Sequence, residues 1–170
     1  MDTFECIETK LDIREFKLKQ VPHEIKLKVL EAARLTGSGL NTQHWRFILV
    51  EVRENLKRLS KDSTSGYWIA GCNFAIIILT NPEYHFHLID AGRVLQNMQL
   101  TAWSNGVGSG IFTGLSEDNF RKDFGVPRQW SVSAVIGFGY PRKKLIGKKK
   151  DRLPLDTLIH NEKYGNSSKS

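Results

Sequence analysis

The chain has 170 residues and a mass of 19.4 kDa, the size of one domain, with a net charge of +7. Hydrophobic residues make up 40% and charged residues 25%, a balance that excludes wholesale disorder. The longest apolar run, Phe74–Leu79, is far short of the ~20 residues that a membrane-spanning helix needs. The first residues lack the basic-then-apolar pattern of a signal peptide, so a cytoplasmic protein without a membrane partner is expected.

The first long element is a helix predicted from about Pro22 to Thr36. Proline suits a first helical turn, Ile25, Val29, Leu30 and Ala33 share one face, and Gly37 ends the pattern. Trp45–Val52 is rich in β-branched and aromatic residues and reads as a strand, followed by a polar helix from about Glu54. Phe74–Thr80 is apolar without alternation, which predicts a strand buried on both faces. Asn81-Pro82 offers a cap and a first-turn proline for a long helix in which Leu88, Ala91, Leu95, Met98 and Ala102 form a seam. That seam reads as core first and as a helix–helix contact between copies second.

Beyond Gly106, Val107–Phe112 reads as a short strand. Ser116 with Glu117 and Asp118 opens another helix, and Ser131–Tyr140 is the last strand. Strands and helices mix without a strict βαβ rhythm, which favours an α+β fold. One domain over residues 1–164 with a short tail over 165–170 is the expected organisation.

Several kinds of chemistry fall away on spacing. Gly108 and Gly110 need a third glycine at 113 to make a dinucleotide fingerprint, but Thr113 stands there, and the cluster follows a helix instead of a strand. There is no P-loop and no GxSxG. Cys6 and Cys72 form no CxxC pair and read as two reduced thiols. His85, His87 and Asp90 imitate a metal triad, but near a helix start i and i+2 do not converge, so no metal is expected. Arg142, Lys143, Lys144, Lys148, Lys149, Lys150 and Arg152 carry nearly all the net charge, with one acid, Asp151, among them. Without an aromatic residue in the run, it reads as a solvated segment or a small-anion site, not a nucleic-acid surface.

Two segments point to a ligand. Lys10-Leu11-Asp12-Ile13-Arg14-Glu15-Phe16 sets two cations four apart, and Thr36–Phe47 is dense in small residues, hydroxyls and amides. Cations beside amide donors and acceptors suit a hydrogen-bonding heterocycle that carries a phosphate.

Together these segments resemble the nitroreductase family of flavin-dependent oxidoreductases. That family opens with an arginine-rich element and places a PSxxNxQPW-like loop after its first long helix. Here the loop is Gly37-Ser38-Gly39-Leu40-Asn41-Thr42-Gln43-His44-Trp45, with Gly37 and His44 in place of prolines. The likeness continues through Asp90–Leu100, Gly106–Ser109, Gly137–Pro141 and Lys150–Leu155.

The resemblance implies an α+β nitroreductase-like fold, a mostly antiparallel sheet flanked by helices, in an intertwined homodimer with FMN between subunits. It implies hydride transfer from NADH or NADPH to a small acceptor, such as a nitroaromatic or a quinone, with ping-pong kinetics. It places Lys10 at the phosphate and Arg14 at the flavin's pyrimidine edge. Ser38, Asn41 and Gln43 line the flavin from the partner subunit, Thr113 and Gly114 form the turn facing its central ring, and Lys150 and Arg152 clamp the phosphate. No residue is assigned a catalytic role. Other readings are a flavin carrier or sensor without turnover, or a flavin-dependent dehydrogenase or dehalogenase. Leu11 and Asp12 depart from the family's basic and hydroxyl residues, and an acid at 12 suits a phosphate only if it turns away or pairs with Lys10 or Arg14.

Overall fold

The computed structural model describes residues 1–143 and 152–166. Its centre is one antiparallel sheet of β1 (Trp45–Val50), β2 (Phe74–Thr80), β3 (Gly108–Phe112) and β4 (Ser131–Gly139), in the order β1-β2-β4-β3. Among the described residues five α-helices surround it: α1 (Thr3–Thr9), α2 (His23–Arg34), α3 (Arg53–Asp62), α4 (His87–Ser104) and α5 (Glu117–Phe124). This is the α+β arrangement expected from the sequence.

Every residue of β2 is buried because the sheet has a core on each face. Phe74, Ile76 and Ile78 join Ile136 and Phe138 under α2 and α4. Ala75, Ile77 and Leu79 point the other way, to a second core with Leu56 and Leu59 of α3 and Phe120 of α5. A side chain period of two sends alternate isoleucines to opposite cores, so the run of isoleucines needs no polar face. Phe74 and Phe138 stack across the strands with ring centroids 4.6 Å apart.

The α4 seam is core at Ala91, Met98 and Ala102, Leu95 packs against that core half-buried, and Val94 joins it, but Leu88 is 60% exposed. Asn81-Pro82 does not start that helix. The Asn81 side chain accepts the Glu83 N–H at 3.0 Å and its carbonyl accepts the Tyr84 N–H at 3.3 Å, forming a turn that delays α4 to His87. Helix α1, which the sequence reading leaves out, is capped by Asp2, whose side chain accepts the Glu5 N–H at 2.8 Å. Among the described residues no helix is long and apolar enough to cross a membrane.

Helix α5 ends on Gly125 with φ at 63°, in the left-handed region, and the Gly125 position has open space for a methyl group. Gly125→Ala is therefore a pure backbone test. It is expected to destabilise the fold by about 1 kcal/mol and to lower the thermal midpoint by about 2–4 °C, as read by circular dichroism.

Candidate functional site

The opening segment is placed by glycines. Gly108 and Gly110 of β3 pair with Gly139 and Gly137 of β4, leaving one face of this stretch without side chains, while Ser109 and Phe138 between them point to the other. Ile13, Phe16 and Trp68 lie on this floor. A Cβ at Gly110 would come 2.6 Å from the Ile13 carbonyl oxygen, and one at Gly139 would come 2.8 Å from the Phe16 ring. Only bare backbone allows approaches this close. The segment is then stitched down by backbone hydrogen bonds. Ile13 N–H donates to Ser109 O at 2.8 Å, Lys17 N–H to Tyr140 O at 2.8 Å, and Arg142 N–H to Glu15 O at 2.9 Å. Asp12 also pairs with Ser109 as a parallel bridge along the outer edge of β3. The glycine cluster rejected as a dinucleotide fingerprint thus has a different use.

A pocket of about 250 Å³ opens here, lined by Asp12, Ile13, Arg14, Glu15, Pro141, Arg142 and Lys143. Three cations and two carboxylates face it. Lys10 stands behind, its Nζ 2.7 Å from Asp12 Oδ1, with the two side chains 15% and 42% exposed. Asp12 therefore pairs with Lys10, one of the two arrangements the sequence allows for an acid at this position. The Gln99 side chain donates to the same Asp12 oxygen at 3.2 Å.

Ser38, Asn41 and Gln43 lie on a different piece of surface. Gly39–Asn41 form a single 3₁₀ turn, and Leu40, Asn41 and Gln43 all have positive φ. Ser38 Oγ accepts the Gln43 N–H at 2.9 Å, and the Gln43 amide donates to Asn41 Oδ1 at 3.3 Å. Asn41 and Gln43 remain exposed. Thr113 is exposed just after β3, and the Gly114 carbonyl accepts the Thr64 N–H at 3.0 Å. Arg152 is exposed at the start of the C-terminal arm, whereas Lys150 lies outside the described residues.

The structure thus brings Arg14 together with Arg142 and Lys143, and sets Lys10 beside that group on Asp12. None of the three loop residues lines this pocket. Arg142 and Lys143 are absent from the sequence-based assignment. Their signal was available, since they follow directly on the last strand, but their proximity to Arg14 depends on a pairing across more than a hundred residues. Asp90, weighed in the sequence only as part of a metal triad, instead anchors the loop. It accepts the Gly39 N–H at 2.9 Å, while His87 Nδ1 engages Thr80 Oγ1 at 2.7 Å.

Three ionisable groups outside the pocket are shifted by their surroundings. Burial pushes Asp90 towards the neutral form, but hydrogen bonds from Gly39, His44 and Arg93 outweigh it and hold the carboxyl below its ordinary value. Burial, with the nearby His44, lowers His87. Burial pushes the Cys72 thiol up to about 12, so it supplies no thiolate nucleophile near neutral pH.

The donor set fits a phosphate-bearing heterocycle in chemistry: guanidinium and ammonium groups for the anion, amides and a hydroxyl for a polar ring edge. The volume is less than the roughly 300–1,000 Å³ of a complete small-molecule pocket.

An antiparallel sheet flanked by helices, with a charged pocket between the opening segment and residues 141–143, defines the class, and comparison with known proteins gives the family. The chain belongs to the nitroreductase family, whose sequence profile matches residues 7–70 and 62–140. It is 32% identical to an Archaeoglobus fulgidus protein named "Putative NADH dehydrogenase/NAD(P)H nitroreductase", over 94% of this chain and 99% of that one. Its fold is similar to that of an FMN-dependent nitroreductase from Clostridium difficile R20291, with a TM-score of 0.87 at 24% identity, covering 95% of this chain and 99% of that one. It is similar as well to a nitroreductase-like protein from Desulfovibrio desulfuricans, solved in complex with FMN, with a TM-score of 0.80 at 23% identity over 96% and 98% of the two chains.

Proposed function

We propose that the chain is an FMN-dependent oxidoreductase that takes hydride from NADH or NADPH and passes it to a small acceptor such as a nitroaromatic or a quinone, the two substrates using one site in turn. The observation that carries this reading is the pocket where Arg14, on the opening segment that the β3 and β4 glycines seat, meets Arg142 and Lys143. When bound, FMN supplies the hydride-accepting and hydride-donating centre that no side chain of this chain provides.

The protein's part is placement and charge. Lys10, Arg142, Lys143, Lys150 and Arg152 supply positive charge for the phosphate. Arg14 donates to the pyrimidine edge and stabilises the negative charge that builds there on reduction. Thr113 and Gly114 form the turn beside the central ring. Ser38, Asn41 and Gln43 complete the site from a second copy, which accounts for a pocket too small for the whole ligand. The exposed Leu40, Leu88 and Ile89, with Leu153, Leu155 and Leu158 on the arm, give that homodimer apolar surface to cover.

The test is the visible spectrum of the FMN-loaded protein without oxygen. Addition of NADH or NADPH is expected to bleach the oxidised-flavin bands within seconds. A bound flavin that neither nucleotide reduces would favour the second reading, a flavin carrier or sensor, for which the Lys10–Asp12 ion pair is the specific support.

A further inference from the structure

The loop that carries Ser38, Asn41 and Gln43 is held in a shape it would not choose alone. Leu40, Asn41 and Gln43 have φ of 51°, 54° and 47°, in the left-handed region that Leu and Gln rarely adopt. The forces that hold it come from the first turns of α4. Asp90 is 2% exposed there. Its Oδ2 accepts the Gly39 N–H at 2.9 Å and faces His44 Nε2 at 3.1 Å, and its Oδ1 accepts Arg93 at 3.2 Å. Gly39 and His44 bracket the three left-handed residues, so one buried carboxylate ties down both ends of the turn.

His44 itself is clamped. Its ring centroid lies 5.0 Å from that of Tyr84, 5.8 Å from Phe86 and 5.9 Å from Trp45. Its Nδ1 is buried without a hydrogen-bond partner, which leaves the contact from Nε2 to Asp90 to orient the imidazole. The Phe86 ring also closes on Gly39, where a Cβ would come 2.5 Å from it.

We propose that Asp90 is a positioning residue for the ligand's ring system. Its charge, acting through the Gly39 N–H and His44, fixes residues 38–43 so that Ser38, Asn41 and Gln43 are presented to the ring. The ligand half of this statement rests on the flavin reading above. The latch half concerns the chain alone.

The test is Asp90→Asn, which keeps the shape and one acceptor but removes the charge. Two readouts are needed: hydrogen exchange of the Gly39 amide in flavin-free protein, and titration with both FMN and riboflavin. Gly39 is expected to exchange at least tenfold faster in the variant, with the amides of β2 and β4 unchanged. FMN and riboflavin are expected to weaken by the same factor, about tenfold, because the loop meets the ring and not the phosphate.

Unchanged Gly39 exchange overturns the latch. Faster exchange with unchanged riboflavin affinity overturns the positioning role. Faster exchange in a protein whose wild type binds neither flavin overturns the positioning role together with the flavin reading, and leaves the latch standing. Should Asp90→Asn fail to fold, Gly39→Ala presses the same turn away from Phe86 without touching the carboxylate, and is expected to weaken both flavins equally. Wild-type affinity for both flavins in Gly39→Ala overturns the proposal.

Discussion

Gly110→Ala is expected to abolish flavin binding, with at least a hundredfold loss of affinity for FMN and for riboflavin. The added Cβ would sit 2.6 Å from the Ile13 carbonyl oxygen and 2.9 Å from the Trp68 ring. Neither neighbour yields easily. The Ile13 backbone is tied to Ser109 through its N–H at 2.8 Å, and Trp68 packs edge-on against Phe112, with centroids 6.0 Å apart. Either β3 shifts or the segment from Asp12 to Phe16 lifts off the sheet. Overpacking of this kind costs about 1–3 kcal/mol, and lifting the segment withdraws Arg14 from Arg142 and Lys143.

Gly92→Ala is the matched control. That glycine lies on the exposed side of α4 with no neighbour near its Cβ position, and alanine there is expected to raise stability by about 0.5–1 kcal/mol. Equilibrium titration with each flavin, alongside thermal melts of both variants, checks the pair. Wild-type affinity in Gly110→Ala would show that the opening segment does not form the site.

That contrast shows what could be read from the chain without its fold. The β2 run was legible because continuous burial leaves a local mark: an apolar stretch with no alternation can only be covered on both sides. The α4 seam was legible for the same reason, apart from Leu88, which fell outside once the turn at Asn81 moved the helix start. Arg14 and the polar loop were singled out by motif; the structure sets Arg14 beside Arg142 and Lys143 and the loop on a different piece of surface.

The glycine floor was not. Each glycine of Gly108, Gly110, Gly137 and Gly139 looks like a local turn signal, and its meaning appears only when β3 is laid beside β4 with Ile13 and Phe16 on top. Arg142 and Lys143 were hidden by the same long-range pairing. Asp90 was hidden in another way. A carboxylate in the first turn of a helix is ordinary, and only its burial against Gly39 and His44 distinguishes it.

Asp12→Ser is expected to tighten FMN binding by about ten- to a hundredfold while leaving riboflavin within about twofold of wild type. Asp12 lines the pocket with Glu15 and holds Lys10 at 2.7 Å, so a phosphate arriving there meets two carboxylates and finds one ammonium already engaged by Asp12. Two unit charges about 5 Å apart interact by roughly 3 kcal/mol at an effective dielectric near 20. The side chain is 42% exposed, so solvent screening reduces the repulsion to about 1–2 kcal/mol.

Freeing Lys10 adds to the gain. Serine retains an oxygen for the Gln99 amide, which also reaches Ser109 Oγ at 3.2 Å, and the fold is expected to lose less than about 1 kcal/mol. The difference between the two flavins isolates the phosphate, because riboflavin lacks it. Adding Lys10→Ala to the Asp12→Ser background should then remove most of the gain for FMN and none of the affinity for riboflavin. An FMN affinity unmoved by Asp12→Ser would place the phosphate elsewhere and return Arg142 and Lys143 to the surface electrostatics of the chain.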